Sequence, residues 1–159
     1  MKNIGTLKVE PRGDREIVVT RVFDAPRDLV WKAMTQPELV KRWFGPHGHQ
    51  LIECEIDFRP GGRWRYLILM PNGQTMGMRG EYLEIEPLER IVHTESFDEY
   101  ADFGTGVNTS LFTEEDGRTT FTGVQVAPSR EVRDAILESG MEHGAAETYD
   151  RLAELLAVL

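Results

Sequence analysis

Ser129-Arg-Glu-Val-Arg-Asp-Ala-Ile-Leu-Glu-Ser-Gly-Met-Glu-His-Gly-Ala-Ala-Glu-Thr-Tyr-Asp-Arg-Leu-Ala-Glu-Leu-Leu-Ala-Val-Leu159 closes the chain and decides how the rest must fold. Leu137, Met141, Ala145, Tyr149, Leu152, Leu156 and Leu159 recur at spacings of three and four, which is one apolar stripe of a helix. Ser129, after Pro128, can cap that helix by accepting from a free amide of its first turn. Roughly thirty helical residues would span about 45 Å, the width of a small domain. The middle is slim: Gly140, Gly144, Ala145 and Ala146 leave little bulk, although each interior glycine costs a helix about 1 kcal/mol. Two readings fit. One is a tight helix–sheet contact or a local bend; the other is the wall of a cavity.

Outward from this helix, the chain reads as strands. Arg15–Phe23 is β-branched and gives a first strand, after a polar lead-in over residues 1–14 that is either an edge strand or loose chain. Asp24-Ala25-Pro26 has the chemistry of a helix start, and two short helices follow, the second beginning at Gln36-Pro37-Glu38. From Gln50 the pattern alternates. Strands are expected over 50–58, 63–70, 76–85, 90–97, 107–113 and 119–126, joined by Pro60-Gly61-Gly62, Asn72-Gly73, Glu86-Pro87, an acidic loop and Asp116-Gly117. Strands joined by short turns are antiparallel neighbours, and only the terminal helix is long enough to cover such a sheet. The fold class is α+β: a curved antiparallel sheet of about six to seven strands around a long C-terminal helix, with two short helices after the first strand.

The totals narrow the function classes. The chain has 159 residues, expected to form a single domain over 15–159. Eighteen basic against twenty-seven acidic residues leave a net charge of −9, which disfavours nucleic acid and anionic membrane as partners. No apolar run approaches the ~20 residues needed to cross a bilayer, and the N-terminal residues lack the apolar core of a signal peptide. Cys54 is the sole cysteine, so no intrachain disulfide can form. A cytoplasmic monomer or homodimer, with no nucleic-acid partner and no membrane insertion, is the expectation.

Several motifs carry a family likeness. Phe23-Asp24-Ala25-Pro26 with Val30-Trp31-Lys32-Ala33, then Glu38-Leu39-Val40-Lys41-Arg42-Trp43-Phe44-Gly45-Pro46, resembles the START-like (SRPBCC) superfamily. Asp57-Phe58-Arg59-Pro60-Gly61-Gly62-Arg63-Trp64, Gly80-Glu81-Tyr82-Leu83-Glu84-Ile85-Glu86-Pro87 and Tyr149-Asp150-Arg151-Leu152 resemble the branch similar to the activator of Hsp90 ATPase. The matches run in family order over about 130 residues. The resemblance implies a helix-grip fold with a cavity between sheet and terminal helix. It implies no single activity, because one fold hosts lipid carriers, cyclases, antibiotic-sequestering proteins and a co-chaperone domain.

The chemistry-bearing residues are few. His47, His49, His93, His143 and Cys54 offer no convergent metal-ligand spacing, so neither a metal nor another cofactor is expected. Cys54 lies mid-strand with no cationic motif beside it and reads as an inert thiol. Gly61-Gly62 lacks the Lys-Ser/Thr ending of a phosphate loop and reads as a tight turn, with Asp57 and Arg59 on one face just before it, placed to pair or hold the turn. The aromatic and methionine set is more telling. Trp64, Tyr66 and Met70 can oppose Met76, Met78 and Tyr82, with Phe97, Phe112, Phe121, Met141 and Tyr149 converging from other elements.

His93 and Glu95 share a strand face with Ile91 and Phe97. If that face is inward, an imidazole and a carboxyl enter an apolar chamber; if Val92, Thr94 and Ser96 point inward, both are surface groups. The expected cavity lining is Trp64, Tyr66, Met78, His93, Glu95, Phe112, Met141, Ala145 and Tyr149. The expected partner is a small apolar or amphipathic molecule held without defined catalysis. Two alternatives stand beside this. One is a cyclase- or hydrolase-like enzyme using His93 and Glu95 as acid and base. The other is an interaction module similar to the Hsp90 co-chaperone. On the ligand-binding reading the slim centre at Gly140, Gly144 and Ala145 becomes the lid of the chamber.

Overall fold

A computed structural model describes residues 7–159, apart from the Ala101 side chain. Among the described residues, eight strands form one antiparallel sheet: β1 (Lys8–Arg12), β2 (Glu16–Phe23), β3 (Gln50–Ile56), β4 (Arg63–Leu69), β5 (Thr75–Glu86), β6 (Arg90–Phe97), β7 (Gly106–Glu115) and β8 (Arg118–Val126). Their order across the sheet is β1-β2-β8-β7-β6-β5-β4-β3. The strand count is one above the upper expectation because part of the lead-in is an edge strand, Val9 opposing Val19 across β1 and β2. Residues 1–6 of that lead-in lie outside the described residues.

Strict alternation governs β2, where Ile17, Val19, Arg21 and Phe23 point inward and are buried. Elsewhere two bulges reset it. In β5 the register shifts between Tyr82 and Glu84, which leaves Leu83 exposed and lets Ile85 join Met78 and Tyr82 against the core. In β3 the shift between Leu51 and Glu53 exposes Ile52 and sends Leu51, Cys54 and Ile56 inward. A bulge adds one residue to one strand and bends it, which helps a wide sheet curve around its contents.

The helices α1 (Arg27–Thr35) and α2 (Pro37–Trp43) follow β2. Asp24 does not cap α1; Pro26 occupies the cap position without a side-chain bond. The free amide of Arg27 instead donates to Glu114 Oε1 at 2.7 Å, and Asp24 faces Arg118 at 3.5 Å. A carboxylate from β7 thus serves the first turn, which ties helix to sheet.

The terminal helix departs most from expectation. It is two helices, α3 (Arg130–Glu138) and α4 (Met141–Leu156), broken at Gly140 with φ of 85°. That left-handed conformation suits glycine and ends a helix, so the slim centre contains the bend. Ser129 caps α3 as expected, accepting from Val132 N at 3.2 Å. Ser129→Ala should cost about 1 kcal/mol of stability, read as a shifted urea midpoint with an unchanged slope.

The break lets the two halves dock separately. In α3, buried Arg133 donates through Nη1 to the carbonyls of Gly13 and Glu16, both at 3.1 Å, fastening α3 to the β1–β2 turn. Helix α4 packs on α1 and α2 and presents Leu152, Leu155 and Leu156 to the core. Leu159, expected on the stripe, lies past the helix end and is exposed. Arg151 Nη1 donates to Gly45 O at 2.7 Å, and its Nη2 to Arg42 O at 3.3 Å, where α2 ends. Beneath α4, Arg21 meets Asp150 at 2.7 Å. Phe23, Val30, Ala33, Val40 and Leu152 lose all solvent contact and form the centre of the core.

Candidate functional site

Between the concave face of the sheet and α4 lies a cavity of about 310 Å³. All nine residues named from the sequence line it: Trp64, Tyr66, Met78, His93, Glu95, Phe112, Met141, Ala145 and Tyr149. Phe97, Met70 and Met76 do not; Phe97 and Met76 pack against the core instead. The inward parity of β6 is therefore the one carrying His93 and Glu95.

The walls are aromatic. Trp64 meets Tyr66 edge-on with ring centres 4.9 Å apart, Tyr66 meets Phe44 at 5.0 Å, and Phe112 meets Phe121 at 5.5 Å. Tyr149 brings α4 into the same set, 5.6 Å from Phe121 and stacked on Trp43 at 6.3 Å. Edge-to-face packing keeps such rings in place while leaving irregular space between them. Trp43 Nε1 donates to Ala33 O at 2.9 Å and Trp64 Nε1 to Thr94 O at 3.2 Å, so both indoles are anchored at the polar edge.

One band of the sheet is polar. Tyr82, His93, Asn108 and Gln125 stand opposite one another across β5, β6, β7 and β8, with Glu95 two residues along β6. Glu95 Oε2 accepts from Asn108 Nδ2 at 2.9 Å and from Gln125 Nε2 at 3.4 Å. Burial pushes the Glu95 carboxyl above its ordinary value, and those two hydrogen bonds oppose the rise. His93 has its ring edge-on to Trp64 at 5.5 Å, and burial lowers its pKa from 6.5 to about 4, so the imidazole is neutral. Burial also pushes the hydroxyls of Tyr66 and Tyr149 up, with the Glu95 charge adding to each.

This band is under-bonded. Among the described residues, His93 Nδ1, Asn108 Oδ1 and Gln125 Oε1 are buried without a partner. Asn108, Ser110 and Gln125 were not named from the sequence, although each shares the parity of an inward aromatic, Phe112 on β7 or Phe121 on β8.

Other candidates fall elsewhere. Gly144 is not at the cavity: a side chain there would meet Pro46 Cγ at 3.4 Å, in the loop after α2, so Ala145 rather than Gly144 faces the space. His143 pairs with Glu147 at 2.8 Å on the exposed side of α4, and the His47 amide donates to Glu147 Oε1 at 3.0 Å. Among the described residues no three His, Cys, Asp or Glu side chains converge. Cys54 is half-buried, and burial pushes its thiol up to about 11, so it is protonated at neutral pH. Gly61-Gly62 is a turn docked on β5, the Gly61 amide donating to Tyr82 O at 2.7 Å. Arg59 and Asp57, both just before it, pair at 3.0 Å on the exposed surface, where such a pair adds little stability.

A curved antiparallel sheet gripping a terminal helix, with a cavity between them, defines the START-like helix-grip class. Within it, the chain belongs to the family described as activator of Hsp90 ATPase homolog 1-like protein, whose model matches residues 24–157. A crystal structure of a Rhodobacter sphaeroides protein is 29% identical, with a TM-score of 0.91 over 97% of this chain and 99% of that one. A solution structure of a Staphylococcus epidermidis protein is 26% identical, with a TM-score of 0.78 over 94% and 93%. The AHSA1 protein from Silicibacter pomeroyi is 17% identical, with a TM-score of 0.74 over 90% and 98%, and shares the fold. No curated protein matches the sequence. Among the described residues, no helix is long and apolar enough to cross a membrane.

Proposed function

We propose that the chain binds a small hydrophobic or amphipathic molecule between the sheet and α4, with the nine lining residues as its contact surface. The observation that carries this reading is the coincidence of an aromatic-walled cavity with three buried, unpartnered polar atoms, on His93, Asn108 and Gln125. Each such atom costs about 1–3 kcal/mol if left unbonded, so the site is built at an expense that a guest or ordered water offsets. A volume near 310 Å³ sits at the lower end for small-molecule pockets and fits a compact guest. Glu95 bonds to Asn108 and Gln125, and no hydrogen bond joins it to His93 among the described residues. That arrangement favours recognition over acid–base relay.

Native mass spectrometry and thermal shifts across a panel of small aromatic and aliphatic compounds test the reading. Ala145→Leu supplies the control, because it adds bulk to the cavity wall from a helix already formed. We expect at least a tenfold loss of affinity with a melting temperature within a few degrees of the parent. Undiminished binding in Ala145→Leu would place the guest elsewhere.

A further inference from the structure

Resting on that reading, we infer that the guest carries a cationic head that donates hydrogen bonds: a small organic ammonium on an apolar body, its nitrogen seated against Glu95. The charge inventory of the cavity points this way. Among the described residues, Glu95 is the one acidic side chain in the lining, and no lysine or arginine lines it. The buried guanidinium of Arg21 lies outside the lining and is committed to Asp150 at 2.7 Å. A carboxylate or phosphate head would therefore meet Glu95 with no cation to neutralise either charge, an arrangement that burial penalises heavily.

The hydrogen-bond inventory agrees. Both bonds to Glu95 fall on Oε2, leaving Oε1 as an acceptor. Because Asn108 and Gln125 turn their amide nitrogens to Glu95, their oxygens Oδ1 and Oε1 are the unpartnered atoms. An ammonium has up to three donors and no acceptor, which matches three acceptor oxygens. An alcohol brings one donor and leaves at least two of those oxygens unserved. The rings of Trp64, Tyr66 and Tyr149 complete the surroundings, and aromatic faces attract a desolvated cation. Burial alone holds the Glu95 carboxyl up; an ammonium beside it would draw it back towards the carboxylate.

Four compounds with one phenylethyl body separate the possibilities at pH 7 by calorimetry: 2-phenylethylamine, 2-phenylethanol, ethylbenzene and 3-phenylpropanoate. The amine is expected to bind tightest, about tenfold or more above the alcohol, with the carboxylate weakest. Alcohol or hydrocarbon binding as tightly as the amine overturns the charged head while leaving a hydrophobic pocket intact. A carboxylate that binds tightest overturns it as well. No binding by any of the four at millimolar concentration defeats both this inference and the binding function beneath it. Glu95→Gln then removes the charge while its amide oxygen can still accept from Asn108. It should lower amine affinity about 10- to 100-fold and ethylbenzene affinity far less. Retained amine affinity in a variant shown to be folded by circular dichroism counts against the assignment, and the parent panel decides alone if the variant does not fold.

Discussion

Asp150→Ala is expected to lower the unfolding free energy by about 3–5 kcal/mol, nearer the lower figure, far more than its place on a helix surface would suggest. The reason is Arg21. Its side chain is 1% exposed, it projects from the inward face of β2, and its bond to Asp150 Oδ1 at 2.7 Å is the contact that balances its charge. The guanidinium also lies over the Phe23 ring at 5.4 Å, but Nη2 already lacks a partner. Removing the carboxylate would leave a charge that cannot be neutralised, since arginine keeps its proton at any ordinary pH. Asp150 retains 22% exposure, so some water could follow the truncation, which sets the lower end of the range. Arg21→Met with Asp150→Leu should recover most of the loss, because replacing both partners with apolar groups removes the desolvation cost along with the attraction. Urea titrations of the parent, the single and the double variant measure both claims. A single-variant cost below about 1 kcal/mol would show that the pair is solvated and structurally idle.

The same pair shows how much the sequence discloses. Strand parity over Ile17, Val19, Arg21 and Phe23 marks Arg21 as a charged residue on a buried face, and that much is legible. Its partner lies 129 residues away and follows from no local pattern. The cavity divides in the same way. The inward aromatics and the His93 face could be listed from alternation, and Asn108, Ser110 and Gln125 follow once Phe112 and Phe121 are fixed inward. What alternation could not supply was the register that sets His93 opposite Asn108 and Asn108 opposite Gln125. Cross-strand pairing depends on turn lengths and bulges. The bulges at Ile52 and Leu83 were hidden for that reason.

The periodicity of the terminal segment persists across Gly140 because Met141 resumes the stripe after one left-handed residue. Periodicity reports which residues face inward and is insensitive to a single reversed φ. Small residues such as Gly144 signal close approach, yet they do not say to what. Its neighbour is Pro46, from a loop that α4 clamps through Arg151.

His93→Leu should abolish about 3 kcal/mol of acid destabilisation, the second large effect expected of this fold. In the folded chain burial holds the imidazole pKa at about 4 against an ordinary 6.5, so the fold binds the neutral ring and resists its protonation. The unfolded chain takes up that proton first as pH falls. The stability associated with neutral His93 is thus present in full above about pH 6.5 and lost progressively as pH drops to about 4. The gap corresponds to about 3 kcal/mol. Glu95 works in the opposite sense: its folded value is raised, so stability tied to its neutral form is greatest at low pH and declines as pH rises through that value. Asp98, held low by its hydrogen bond to Arg65, loses support in acid on the exposed side of the sheet. Comparing parent with His93→Leu at each pH cancels these other groups to first order, and repeating the comparison in Glu95→Gln removes the neighbour most able to couple. The expected result is two stability curves that coincide near pH 7.5 or favour leucine, which has no orphaned Nδ1, and then diverge below pH 6.5. Parallel curves down to pH 4 would mean that a proton reaches Nδ1 without cost. That requires water or an acceptor at the polar band, which a guest must displace or replace to bond Nδ1.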